Sequence, residues 1–199
     1  MNLPNKLTLL RIILVPFFIG ALLINFQYHY LVALLIFIIA SITDMLDGKI
    51  ARKRNLITDF GKFCDPLADK ILVTSSLLCF IELGLCGSIP VIIVLFREFA
   101  VTSIRLLAAT DGKVVAANIW GKVKTVTQII AIILVLVLQL ALEAITLNPQ
   151  FFSLSQNTVD LCSGWFVIIG EVAIWISTVF CILSGIIYIW DNRKFIKDM

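Results

Sequence analysis

The run VKTVTQIIAIILVLVLQLALEAITL, Val123 to Leu147, carries Lys124 near its start and then no charged residue until Glu143. A bilayer core takes about 20 apolar residues of helix to cross, and this run supplies them. It is one of several. The chain of 199 residues is 60% hydrophobic and 15% charged, against roughly 45–50% and 25% for soluble domains. A β-barrel would show short alternating segments, and none appear. The reading is an all-α integral membrane protein, one domain over residues 1–199, with spans at Leu7–Asn25, Leu31–Gly48, Pro66–Leu83, Ser88–Thr110, Val123–Leu147 and Phe166–Trp190. The first has Lys6 and Arg11 at its start like a signal peptide, but no Ala-x-Ala cleavage pattern follows, so it reads as a retained helix.

Basic residues set the topology. All 16 Lys and Arg fall within Lys6–Arg11, Lys49–Lys70, Arg97–Lys124 or Arg193–Lys197. With six spans, every basic block except Arg97 lies on one side, which the positive-inside rule makes cytoplasmic. Both termini are then inside. The long connection Asn148–Gly164, rich in Ser, Asn and Gln, is expected to be a solvated outer loop. Cys86 and Cys162 share that outer side, where either a disulfide or two small buried hydrophobes would serve. The lone His29, between Tyr28 and Tyr30, reads as an interfacial anchor, and a single His in the chain excludes a histidine-based triad.

The polar exception to this greasy chain is DMLDGKIARKRNLITDFGKFCDPLAD, Asp44 to Asp69. On a helix Asp44, Asp47, Gly48, Ala51 and Arg52 share one face. Gly61, Asp65 and Asp69 repeat the pattern at spacings of four. Asp65 and Pro66 fit an N-cap with proline at N1; a helix starting earlier would instead carry Pro66 inside it. Four converging carboxylates repel one another unless some are protonated or a cation binds. Oxygen-only donors favour Mg²⁺ or Mn²⁺, and two ions bridged by carboxylates suit a diphosphate. The glycines leave room for a ligand to approach the backbone. Single Asp pairs at helix ends are ordinarily caps or solvated charges; two same-face pairs at a membrane boundary, where ionised groups are costly, point to function. Asp59 falls off this face and reads as a solvated or capping residue.

The spaced pattern D-x-x-D-G-x-x-A-R-x₈-G-x-x-x-D-x-x-x-D, met here by Asp44, Asp47, Gly48, Ala51, Arg52, Gly61, Asp65 and Asp69, resembles the signature of the CDP-alcohol phosphotransferases. Eight fixed positions make it far more specific than a short motif. The resemblance implies six transmembrane helices in a bacterial cell membrane, with the site open to the cytoplasm. It also implies that Asp44, Asp47, Asp65 and Asp69 are metal ligands, that Asp69 acts as general base, and that Asp47, Gly48, Arg52 and Gly61 hold the CDP moiety. NLPNKLTLLRIILVP at the start, REFAVTSIRLLAA from Arg97 and WGKVKTVTQ from Trp120 are similar to the branch of the family that joins CDP-diacylglycerol to sn-glycerol 3-phosphate. That similarity fades beyond Gln128. The implied partners are these two substrates and membrane lipid, with no nucleic acid, and homodimers are common in the family.

A phosphate acceptor needs cations of its own. Arg97 sits inside the fourth span, followed by Glu98, where an Arg is a functional candidate or half of an internal ion pair. Arg105, Lys122 and Lys124 mark the cytoplasmic ends of spans four and five. These four are the expected glycerol phosphate site, while Lys113 reads as a topology signal. Other members of the family that make cardiolipin, phosphatidylserine or phosphatidylinositol phosphate carry the same signature. A membrane prenyltransferase would set its acidic motifs on well-separated helices. A cation transporter would place carboxylates near mid-bilayer on broken helices.

Overall fold

The computed structural model describes residues 3–54, 59–110, 119–148 and 155–193. They form six helices: α1 (Leu3–Leu23), α2 (His29–Arg54), α3 (Asp59–Glu82), α4 (Ser88–Thr110), α5 (Ile119–Leu147) and α6 (Gln156–Asp191). Among the described residues, Asn5–Leu23, Ile119–Leu147 and Gln156–Asp191 are long and apolar enough to cross a bilayer, and His29–Asp44 is a shorter apolar stretch. The exterior is greasy: Phe17, Phe96, Phe99 and Trp190 are all exposed. In water such a surface would aggregate; facing lipid, it is at rest.

Inside, Phe18 of α1 meets Phe37 of α2 with ring centroids 5.8 Å apart. Phe80 of α3 and Leu136 of α5 are buried in the same cluster. The closest associations are α5 with α6 and α1 with α2, followed by α1 with α3. Small residues permit the first of these. A Cβ on Gly170 would lie 3.1 Å from Val135 Cγ2, so the glycine lets α6 approach α5 closely. Two buried hydroxyls are satisfied within their own helices: Ser76 donates to the Leu72 carbonyl at 2.8 Å and Thr178 to that of Ile174 at 2.8 Å.

Short connections enforce the up-and-down order. Helix α3 closes with Gly84 at φ 69°, its N–H donating to Ile81 O at 3.0 Å while Leu85 N–H reaches Phe80 O at 2.8 Å. This is a Schellman ending, whose left-handed residue suits glycine. At the start of α2 the Glu143 carboxylate of α5 accepts from the backbone N–H of His29 at 3.1 Å and of Tyr30 at 3.3 Å. It satisfies two donors that a helix start leaves unpaired, and the helix dipole favours its charge.

Two expectations are revised and one open alternative is decided. The connection after α5 is shorter than expected, because α6 begins at Gln156 rather than near Phe166. Its polar first turns are a helix extended beyond the apolar stretch, with Gln156 bonded to Asp160 at 3.3 Å. His29 is buried between Phe26 and Tyr30 instead of facing an interface. Helix α3 is already formed at Asp59, so Pro66 lies within it and Asp65 is not its N-cap.

Cys86 and Cys162 are both free thiols, which decides between the two alternatives for that pair. Burial, and secondarily the nearby Glu171 charge, pushes the Cys86 thiol up to about 11. Cys162 on α6 is half-buried. A neutral maleimide near pH 8 is therefore expected to label Cys162 well before Cys86 in the folded protein. Cys86 should gain reactivity only as pH climbs towards 11, because the thiolate is the reactive form. Site-resolved mass spectrometry reads both.

Candidate active site

Five helices line one cavity of about 570 Å³. Its walls include Arg11 from α1, Asp44 from α2, Lys70 from α3, Arg97, Glu98 and Arg105 from α4, and Lys122, Lys124 and Gln128 from α5. The alternation of the helices brings the start of α1, the end of α2, the start of α3, the end of α4 and the start of α5 to one end of the bundle. That places Asp44 in the same cavity as all four expected phosphate-binding cations, Arg97, Arg105, Lys122 and Lys124.

The cations differ in kind. Arg105 and Lys122 are exposed at the mouth. Lys124 is buried, whereas long basic side chains at a membrane surface normally reach for water. Its ammonium pairs with Glu98, whose Oε1 also accepts from Arg97 Nη1 at 3.0 Å. Arg97 Nη2 donates to Ser184 Oγ on α6 at 2.6 Å. Arg97 is thus half of an internal ion pair, and it also lines the cavity. Lys70 donates to the hydroxyl of Thr102 on α4.

Asp44 is held by Arg11, Nη1 to Oδ1 at 2.6 Å, and the arginine side chain is 1% exposed. Breaking a buried ion pair leaves an uncompensated charge, which is strongly destabilising. Arg11 therefore fixes one carboxylate of the acidic cluster from a different helix. Asp47, Gly48 and Arg52 continue α2 as helical residues, and Gly61, Asp65 and Asp69 belong to α3. Their side chains lie outside the described residues, as does Lys113. The donor set fits a hard divalent cation: oxygen ligands at helical spacings of three and four, with one member, Asp44, on the cavity wall. Among the described residues no cluster of three His, Cys, Asp or Glu competes as a metal site.

Arg11, Lys70, Gln128 and Ser184 were not anticipated as parts of this site. The first had a signal. Asn5, Thr8 and Arg11 recur every three residues along α1, and all three are buried, a polar stripe inside an apolar helix. Gln128 follows Lys124 by four, on the same helix face. Ser184 carried none, being one small polar residue in an apolar helix.

A family model described as CDP-alcohol phosphatidyltransferase matches residues 1–183. The chain is 38% identical to the CDP-diacylglycerol–glycerol-3-phosphate 3-phosphatidyltransferase of Bacillus subtilis, covering 98% of this chain and 97% of that protein. It is 34% identical to the Rickettsia felis protein of the same name, again over 98% and 97%. It is 43% identical to the "Probable phosphatidylglycerophosphate synthase" of Mycobacterium tuberculosis over 66% of this chain and 64% of that one.

Helix α6 contributes to the cavity through Arg97. A Cβ on Gly185 would lie 3.0 Å from Arg97 Cγ, so the arginine stem is packed directly against α6. Gly185→Ala should displace that stem and lower stability by about 1–3 kcal/mol, the usual cost of overpacking. Gly164→Ala, on the same helix where a Cβ meets nothing within 4 Å, should show no loss. Thermal unfolding of the two variants in detergent measures the difference.

Proposed function

The chain belongs to the CDP-alcohol phosphatidyltransferase family, and from that premise we propose that it transfers the phosphatidyl group of CDP-diacylglycerol to sn-glycerol 3-phosphate, releasing CMP. The observation that carries this reading is the single cavity shared by Asp44 and the cations Arg97, Arg105, Lys122 and Lys124. A carboxylate wall suits a metal-bound diphosphate. Cations in the same cavity suit an acceptor that is itself a phosphate, and an acceptor without a phosphate, such as glycerol or serine, would not need them.

In the proposed reaction the C1 hydroxyl of glycerol 3-phosphate attacks the lipid-side phosphorus. A new P–O bond forms there, the bond to the bridging oxygen breaks, and CMP leaves with that oxygen. Asp69 takes the hydroxyl proton as general base. Asp44, Asp47, Asp65 and Asp69 would hold divalent cations, Mg²⁺ or Mn²⁺ and two in number, which when bound neutralise the diphosphate charge. Gly48, Arg52 and Gly61, with Asp47, form the CDP side of the site. Arg11 keeps the Asp44 carboxylate in place from α1. Arg97, Arg105, Lys122 and Lys124 hold the acceptor phosphate by charge-assisted hydrogen bonds. The basic residues along this end of the bundle favour a cytoplasmic opening, with six spans and both termini inside, in the bacterial cell membrane.

Purified protein given labelled CDP-diacylglycerol and a panel of acceptor alcohols tests the proposal. Glycerol 3-phosphate should turn over, and free glycerol or serine should not compete with it. Turnover of either as well as glycerol 3-phosphate overturns the substrate assignment.

The carboxylates should separate by role. Asp44→Asn, Asp47→Asn and Asp65→Asn are each expected to lose most activity and to require more Mg²⁺. Asp69→Asn should retain CDP-diacylglycerol binding while kcat falls by about 10²–10⁴-fold, the usual worth of a general base. Titration of activity against Mg²⁺, with a separate nucleotide-lipid binding measurement, distinguishes the two patterns. On the cationic wall, Lys124→Gln or Arg105→Gln should raise KM for glycerol 3-phosphate about ten-fold, since a charge-assisted bond is worth roughly 1.5–3 kcal/mol. KM for CDP-diacylglycerol should change far less. Equal small changes for both substrates would reduce these residues to topology charges.

A further inference from the structure

Gln128 is 2% exposed and lines the cavity, yet its side-chain Nε2 has no hydrogen-bond partner among the described residues. Several other buried polar side chains are satisfied, although Arg97 Nε and the Tyr188 hydroxyl share the condition of Gln128 Nε2 among the described residues. Thr43, Ser76 and Thr178 each donate to a carbonyl in their own helix. A buried donor left without a partner is rare in native proteins, because it loses its water and gains nothing in return. Its position says what would satisfy it. Gln128 follows Lys124 by four residues on α5, one turn further in, which is about 6 Å along the helix axis. A three-carbon phosphate held at Lys124 would reach that far with its carbon chain.

We propose that Gln128 is a specificity-determining residue whose amide donates to the C2 hydroxyl oxygen of the acceptor, the one hydroxyl that does not react. The inference rests on glycerol 3-phosphate being the acceptor. Arg97, Arg105, Lys122 and Lys124 recognise a phosphate and would accept any small alcohol that carries one. Gln128 adds what they lack, a contact that reads the carbon chain. It also accounts for a buried amide on α5 one turn past Lys124, just before the buried Ala131 and Ile132.

The test compares two acceptors with the same phosphate and the same reacting primary hydroxyl: glycerol 3-phosphate, and propane-1,3-diol monophosphate, which lacks the C2 hydroxyl. The wild-type protein, full length in detergent with CDP-diacylglycerol, should favour glycerol 3-phosphate by about ten-fold or more in kcat/KM, since a site built to bond a hydroxyl rejects the analogue without it. Gln128→Leu should erase most of that preference by losing rate with glycerol 3-phosphate alone, and KM for CDP-diacylglycerol should stay as it was. Gln128→Met, which keeps an unbranched chain of similar length, should do the same and guards against a folding defect in the first variant. A purely structural glutamine would slow both acceptors alike. Equal use of the two acceptors by wild type, or a preference that survives both substitutions, overturns the proposal. Turnover of some other alcohol with none of glycerol 3-phosphate overturns the acceptor assignment and this inference with it.

Discussion

One carboxylate, Glu98, holds two cations in the interior of this bundle, pairing with Arg97 from its own helix and with Lys124 from α5. Charges taken out of water cost several kcal/mol each unless they are paired and hydrogen-bonded. In a protein whose outer surface faces lipid, the alternative of turning to solvent is available only near the bundle ends. Glu98 therefore makes it possible to keep two cations beside a cavity. Ser184 and Gly185 complete the arrangement from α6, the serine by accepting from the guanidinium and the glycine by leaving room for its stem. Three helices, α4, α5 and α6, are thereby tied together around one anionic group.

Elsewhere in the same cavity the logic holds with the signs reversed. Asp44 on α2 is exposed enough to meet a ligand, and the buried Arg11 of α1 anchors it. Each arrangement thus pairs a buried ion with a counter-ion from elsewhere in the bundle, and each leaves some charge facing the cavity. Arg105 and Lys122 remain exposed at its mouth. Fixed charges of both signs therefore line one cavity and are held in place before any ligand arrives. Such preorganisation reduces the rearrangement needed during reaction.

Much of this was legible in the chain itself. Apolar runs long enough for a bilayer, and basic residues restricted to four blocks, revealed an all-helical membrane protein. The spacing of Asp44, Asp47, Gly48, Arg52, Gly61, Asp65 and Asp69 pointed to a metal-dependent diphosphate site, because a helix turns equal spacing into a shared face. Element boundaries were less legible. The helical start of α6 at Gln156 was hidden by its polar residues, since hydropathy reports the membrane and not the helix. Pro66 left two possibilities open, and the backbone of α3 decided between them.

The sequence by itself determined the composition of the site: which carboxylates and cations were present, and in what periodic order along each helix. Periodicity is local, so it survives in a linear reading. Only the tertiary structure decided which charges face one another. Arg11 and Asp44 are remote in sequence, as are Glu98 and Lys124, and Arg97 and Ser184, and no spacing rule connects them. Their pairing depends on how α1 packs on α2, α4 on α6 and α5 on α6, and that packing is set by close contacts such as Phe18 with Phe37 and Val135 with Gly170. The same packing buries the Gln128 amide at the cavity wall, where its spacing from Lys124 gave only the shared helix face.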